Sequence, residues 1–164
     1  VVKSGERWYG GSKEGAETMF RGRYEYTIDS KGRVSIPSKF KEILIQQYDE
    51  RLVITNYDLC LVAYPHQEWS VIEEKVKNLS SLSKESRTFY RFFYSSGIDC
   101  EIDRQGRVLI PQSLRDYAKL EKEVVLVGSG KKIEIWNKER WEEAFRKSQE
   151  SFDQVTETLA NLGL

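Results

Sequence analysis

Cysteine and histidine are scarce in this chain of 164 residues, and that scarcity narrows its chemistry first. The two cysteines, Cys60 and Cys100, form no C-x-x-C pair, and the single histidine is His66. A Cys/His zinc site is therefore not expected. Both cysteines read as reduced thiols of a cytoplasmic protein. No apolar run approaches the ~20 residues of a membrane helix. Val1 to Met19 is polar and Gly-rich, without the apolar stretch of a secretory signal. Net charge is also missing: 26 basic residues face 26 acidic ones, for a formal charge of +0. Nucleic-acid binders usually carry a basic footprint, so any such surface here has to be local. P-loop, nucleophile-elbow and Rossmann patterns are absent from the sequence. His66, near Glu68 at a helix start, reads as a solvated surface histidine rather than a general base. A carboxylate-only active site is the one enzymatic reading left open, and no cofactor or metal is expected.

What is present reads as a globular protein, with 39% hydrophobic and 32% charged residues. The length suits one compact domain or two small ones sharing a core. Residues 1–18 carry Gly5, Gly10, Gly11 and Gly15, with Trp8 and Tyr9 as the only large apolar side chains, and little periodicity. Two readings stand for this stretch. It is a flexible arm, or a translated leader ahead of a true start at Met19, the only methionine. Lys13-Glu14-Gly15 is codable as AAG-GAG-GG, a ribosome-binding sequence a few codons upstream of that methionine.

The dominant feature is an internal repeat. Ile28-Asp29-Ser30-Lys31-Gly32-Arg33-Val34-Ser35-Ile36-Pro37 recurs as Ile102-Asp103-Arg104-Gln105-Gly106-Arg107-Val108-Leu109-Ile110-Pro111, with seven identities in ten positions. Chance is a poor explanation, and repeats of this length shape the whole fold. The match continues more loosely: Phe40 with Leu114, Lys41 with Arg115, Leu52-Val53-Ile54 with Val125-Leu126-Val127, and Leu61 to Tyr64 with Ile133 to Trp136. Trp69 and Trp141 each follow five residues after an aromatic. Each unit reads strand, tight turn, strand, short helix, strand, turn, strand, longer helix.

The local physics supports that order. Tyr24, Tyr26 and Ile28 alternate with polar residues, as do Val34 and Ile36, which is the period-2 signal of half-buried strands. Asp29 and Asp103 are placed to accept backbone N–H groups in the turn, and Gly32 and Gly106 to adopt positive φ. Pro37 and Pro111 suit the first turn of a helix. Phe40, Ile43 and Leu44, and Leu114, Tyr117 and Ala118, give the short helices an inward face. Asn56-Tyr57-Asp58 and Gly128-Ser129-Gly130 supply the later turns. Neither unit of roughly 70 residues buries enough apolar surface to stand comfortably alone. Two copies interleaving their strands around one core solve that problem.

Two Asp-x-x-x-Arg turns, each followed by Val-x-Ile-Pro, resemble the MraZ family of bacterial DNA-binding transcriptional regulators. So do Met19-Phe20-Arg21-Gly22 and the Tyr-Pro-x-x-x-Trp run from Tyr64 to Trp69. The resemblance covers Met19 to about Leu162. It implies an α+β fold: two tandem AbrB-like swapped-hairpin repeats forming one pseudo-two-fold β-barrel with flanking helices. The expected layout is a first repeat over 19–82, a connecting helix over 83–98, and a second repeat with a C-terminal helix over 99–164. The resemblance also implies a cytoplasmic, nucleoid-associated, ring-forming homo-oligomer. It would bind repeated promoter elements upstream of the division and cell-wall gene cluster. An AbrB-type antitoxin or a ring-forming interaction scaffold is the alternative. Gln105 departs from the pattern where the first turn has Lys31, with Arg104 as compensation.

Double-stranded DNA is thus the expected partner, with no membrane and no small-molecule substrate. Arg33 and Arg107 lead the candidates for contact, because arginine engages phosphate or guanine bidentately. Lys31, Arg104, Arg21 and Arg23 are weaker candidates, with Lys39 and Arg115 behind them. Asp29 and Asp103 either orient the arginines or simply fix the turns, alongside Gly32, Gly106, Pro37 and Pro111. A neutral chain makes few phosphate contacts per subunit and binds weakly, so many copies on repeated sites are needed to raise avidity. Trp141, Phe145, Ser148, Phe152, Val155, Leu159 and Leu162 recur in steps of four and three, a narrow seam on a C-terminal helix. Its first half suits this chain's own core, and the part from Phe152 suits a partner subunit. Trp69, Ile72, Val76 and Leu79 form a shorter stripe assigned to the core. Phe89, Phe92 and Phe93 read as packing of the linker rather than a base-stacking platform.

Overall fold

The computed structural model describes residues 18–164. The arm or leader expected over 1–18 lies, Thr18 apart, outside the described residues. The first half of the chain runs β1 (Arg23–Thr27), β2 (Arg33–Ser35), α1 (Ser38–Gln47), β3 (Arg51–Asn56), β4 (Leu61–Pro65) and α2 (His66–Val76). The second half repeats that order as β5 (Ile98–Glu101), β6 (Arg107–Leu109), α4 (Gln112–Ala118), β7 (Glu123–Gly128), β8 (Ile133–Asn137) and α5 (Lys138–Ser151). Between the halves lies α3 (Lys84–Phe89), which runs on into a π-helical turn at Tyr90–Tyr94. The fold is α+β, with strands paired antiparallel. Pro37, Pro65 and Pro111 cap the starts of α1, α2 and α4 with φ of −54°, −54° and −60°. The ring fixes that angle, and the missing N–H is one the helix start could not use.

The two halves exchange strands. Six strands form one sheet in the order β1-β7-β8-β4-β3-β5. The first strand of each half therefore pairs with the other half: β1 with β7, and β5 with β3. The registers correspond, with Tyr24 opposite Leu126 and Tyr26 opposite Val124 in one case. Ile98 opposite Ile54 and Cys100 opposite Leu52 are the counterparts. At the centre, Val62 lies opposite Glu134, two positions that the repeat itself equates. The second strands leave the sheet and pair with each other as a ribbon, β2 with β6, centred on Val34 opposite Val108. A pseudo-two-fold axis through these two centres relates the halves.

This arrangement differs from the expected barrel in one respect. The six-strand order ends at β1 and β5, and the ribbon is a separate two-stranded sheet. The Asp-x-x-Gly-Arg turn between β1 and β2, and its copy between β5 and β6, redirects the chain from one sheet to the other. The main core lies between them. Val34, Ile36, Val108 and Ile110 from the ribbon segment meet Leu52, Ile54, Leu126, Ile133 and Ile135 from the sheet, with Phe40, Leu44 and Leu114 from the short helices. Phe20 enters the same core, 2% exposed, edge-on to Phe40. Its backbone bonds to Gly130 in both directions. The backbone of Phe20 and Arg21 runs so close to Gly128 that no side chain fits there.

Two smaller clusters lie on the sheet's other face. Under α2 and α3, Trp69 stacks on Phe93 and Tyr94 and joins Val53 and Val62. Under α5, Trp136 and Trp141 join Cys60, Val125 and Val127. Both cysteines are buried free thiols. Three sequence expectations shift. Leu79, placed in the core stripe, is 42% exposed, because α2 ends at Val76 and Leu79 falls in the turn beyond it. The connecting helix ends at Tyr94, where Gly97 N–H closes a turn on the Tyr94 carbonyl, and Ile98 is already in β5. The C-terminal helix is not continuous: α5 stops at Ser151, a 3-10 turn spans Phe152–Val155, and α6 follows over Thr156–Asn161.

Candidate nucleic-acid interface

Each Asp-x-x-Gly-Arg turn is a self-wired loop. Asp29 Oδ1 accepts the backbone N–H of Lys31 and of Arg33, both at 2.9 Å. Asp103 Oδ1 accepts those of Gln105 and Arg107 at the same distances. Gly32 and Gly106 hold φ of +92° and +78°, which side chains disfavour. The second carboxylate oxygen then takes the arginine: Arg33 Nε donates to Asp29 Oδ2 at 2.7 Å, and Arg107 Nε to Asp103 Oδ2 at 3.2 Å. A half-exposed ion pair of this kind contributes little to stability. Its effect is orientation, because fixing Nε fixes the plane of the guanidinium. Among the described residues, the terminal nitrogens of Arg33 and Arg107 have no protein partner and stay available to an anion.

The ribbon brings the two turns together. Directly opposed residues of an antiparallel pair share a face, and successive residues alternate. Val34 and Val108, each 1% exposed, face the core. Arg33 opposite Leu109 and Ser35 opposite Arg107 face away from it. The two arginines sit on a diagonal of one surface, roughly 7–8 Å apart at the backbone by strand geometry. Each turn also bonds to the opposite strand: Ile110 N–H to the Gly32 carbonyl and Ile36 N–H to the Gly106 carbonyl, both 2.8 Å.

Two further basic residues flank the turns: Arg115, a weaker candidate in the sequence, and Lys41, which the sequence did not single out. Each turn is flanked by the short helix of the other half. Arg115 of α4 lies against Gly32 and donates from Nε to the Ile110 carbonyl at 2.8 Å. Lys41 of α1 lies beside Gly106. The repeat equates Arg115 with Lys41, and that alignment was the only signal of a shared role. Lys31 and Arg104 are exposed at the turn tips. Lys31, Arg33, Lys41, Arg104, Arg107 and Arg115 thus gather around two carboxylates, Asp29 and Asp103. A locally basic surface exists on a neutral chain.

Two candidates stand elsewhere. Arg23 points from β1 to the sheet's other face, where its guanidinium lies 4.6 Å from the centre of the Phe145 ring on α5. Arg21 is exposed and shares with Lys39 a groove of about 330 Å³ between the N-terminal segment and α1. The structure does not bring Arg23 to the ribbon. His66 is half-buried at the start of α2, and Glu68 accepts the Tyr48 hydroxyl at 2.7 Å. Phe93 is buried in the cluster under α2, whereas Phe92 is 42% exposed and edge-on to Tyr117. Among the described residues no group of three His, Cys, Asp or Glu side chains is placed to hold a metal. No described helix is long and apolar enough to cross a membrane.

Fold and surface together define a class: a tandem of Asp-x-x-Gly-Arg hairpins, exchanged within one chain, presenting paired arginines on a ribbon. Comparison with known proteins gives the family. The family model described as "MraZ protein, putative antitoxin-like" matches twice, over residues 19–92 and 93–162. The chain is 46% identical over 147 residues to a protein named transcriptional regulator MraZ from Pediococcus pentosaceus, covering 89% of this chain and all of the relative. It is 47% identical, with the same coverage, to the protein of that name from Caldanaerobacter subterraneus subsp. tengcongensis. With that from Desulforamulus reducens it shares 43% over 145 residues, 88% of this chain and 99% of the relative. The chain belongs to the MraZ family, a family of regulators rather than of enzymes.

Two outcomes follow from the turn geometry. The backbone N–H of Arg33, foremost, together with its guanidinium and the Lys31 N–H, holds the Asp29 carboxyl down at about 2, from an ordinary 3.8. A depressed carboxylate stabilises the folded state above its unfolded pKa, and the contribution is lost as pH falls from about 4 through about 2. The Asp29 carboxyl carbon should titrate by NMR with a midpoint near 2, and a midpoint near 4 contradicts this wiring. The glycines should respond unequally. A methyl at Gly32 meets the Arg115 guanidinium at 2.6–2.7 Å, whereas one at Gly106 meets only the end of Lys41 at 3.5 Å. Gly106→Ala should cost about 1–2 kcal/mol from backbone conformation alone. Gly32→Ala should cost measurably more in chemical denaturation, and equal costs count against the Arg115 contact.

Proposed function

We propose that this protein is a sequence-specific, DNA-binding transcriptional regulator that works as an oligomer. Its sites are repeated promoter elements upstream of the division and cell-wall gene cluster, and it acts in the cytoplasm at the nucleoid. The observation that carries the reading is the ribbon surface, where Arg33 and Arg107 share one face, each oriented by its own aspartate. Its curated relatives carry the name of a transcriptional regulator, which supports the same reading.

The chemistry is division of labour. Arg33 and Arg107 supply terminal guanidinium nitrogens for phosphate or a guanine edge. Lys31, Arg104, Lys41 and Arg115 add point charges around them, and these favour phosphate without reading sequence. Asp29 and Asp103 keep the arginines extended and do not touch DNA. A handful of contacts per chain gives weak, salt-dependent binding, and several ribbons on one repeated site raise it by avidity. A second reading, an antitoxin that also holds a protein partner, draws on the antitoxin-like description of the family.

A mobility shift on the DNA upstream of the protein's own gene tests the proposal. Arg33→Ala with Arg107→Ala, at unchanged oligomeric mass, should weaken binding at least about tenfold and flatten its salt dependence. Affinity within about twofold of the unsubstituted protein would remove the ribbon from the DNA interface. Equal binding to the upstream DNA and to random duplex at physiological salt ends the promoter-specific claim and leaves the antitoxin reading ahead.

A further inference from the structure

Position 109 breaks the symmetry of the ribbon. The repeat equates Leu109 with Ser35, and both lie on the outer face that carries Arg33 and Arg107. Leu109 is the most exposed of these four, at 55%, whereas Arg33, Ser35 and Arg107 are half-buried. It belongs to none of the three apolar clusters, so its side chain adds little to the fold.

A solitary exposed leucine on a polar surface is ordinary. Leu109 differs in its surroundings. It stands directly opposite Arg33 across the ribbon, where side chains start about 4.5–5.5 Å apart. It also follows Arg107 by two residues on the same strand, on the same face and about 6.6 Å away along the backbone. Two guanidinium groups, each oriented by its own aspartate, therefore flank one apolar side chain.

The chemistry of DNA offers that side chain one complement. The major groove admits a two-stranded β-ribbon, and its floor is lined with hydrogen-bonding groups except at thymine, which presents a C5-methyl group. Leucine satisfies no donor or acceptor of a base edge, and covering one with it leaves that group unpaired at a cost. Packing on the methyl removes apolar surface from water on both sides. Base pairs stack about 3.4 Å apart. The spacing from Arg33 thus puts the base under Leu109 one or two steps from where that arginine meets the duplex.

We propose that Leu109 reads a thymine through its C5-methyl group in the major groove, and that the equivalent Ser35 does not. The thymine is required under one half of the ribbon only, so it sets which way round the ribbon sits on the duplex. The inference rests on the ribbon being the DNA surface, as proposed above, and assigns one base of the site to one residue.

A uracil scan tests it. In the upstream duplex, thymine is replaced by uracil at one position of the repeated element at a time. Uracil pairs with adenine unchanged and lacks only the methyl. Fluorescence anisotropy at physiological salt reads the affinity. The unsubstituted protein should lose at least about fourfold at one position, the effect of one buried methyl. Leu109→Ser, which makes the two strands alike there, should bind the thymine duplex weaker by the same factor and be indifferent to uracil at that position. Its affinity for the uracil duplex should equal that of the unsubstituted protein, which also shows the variant to be folded. Leu109→Met, still apolar, should keep the uracil penalty. An unsubstituted protein that binds every uracil duplex within about twofold overturns the assignment to Leu109 and leaves the DNA reading in place. A penalty that persists in Leu109→Ser gives the methyl to another residue and overturns it too. No preference for the upstream duplex over random DNA overturns both.

Discussion

The exchange of first strands between the two halves is the constraint on which the rest of the molecule depends. Among the described residues β1 pairs only with β7, and β5 only with β3. Each short ribbon strand pairs, among the described residues, only with the other. Backbone groups left unpaired in a buried setting are costly, so neither half can form its first hairpin fully without the other. The exchange also places the valines of the ribbon over the shared core and leaves the alternate residues outside. Arg33 and Arg107 share a surface because the pairing register puts them there, and a register shift of one residue would send them into the core.

The same exchange resolves the neutral composition. Acidic and basic residues balance over the whole chain, but the fold sorts them. Each turn receives a basic residue from the opposite half, Arg115 at Gly32 and Lys41 at Gly106. The carboxylates at the ribbon are consumed in holding backbone N–H groups and guanidinium Nε atoms. At the other extreme, the segment after Lys147 carries acids only.

Much of this was legible in the residues because the repeat states it twice. The alternation of Tyr24, Tyr26 and Ile28 gave β1 and its inward face, and the Asp-x-x-Gly-Arg spacing gave the turn down to its hydrogen bonds. The correspondence of Lys41 with Arg115 hinted at a shared role, but which turn each flanks depends on strand exchange, and exchange leaves no local signal. The seam from Trp141 to Leu162 kept its periodicity across Ser151, where the helix gives way to a 3-10 turn. Periodicity reports a face and is blind to what covers it. Leu79 was misplaced for a related reason: it continues the stripe of Trp69 and Val76, but α2 has already ended. Arg23 drew attention by charge alone, and only the sheet's topology shows it engaged with Phe145 on the far side.

A cross-link from the outer face of the ribbon reports whether DNA lies there, as proposed. Ser35 sits opposite Arg107 at the middle of the surface. Both native cysteines are buried, so a thiol introduced by Ser35→Cys can be labelled selectively with a photoactivatable reagent. A ribbon that binds DNA should cross-link efficiently to the upstream duplex from this position, and the same label placed by Glu142→Cys on α5 should give little. Cross-linking from α5 with none from the ribbon would contradict it.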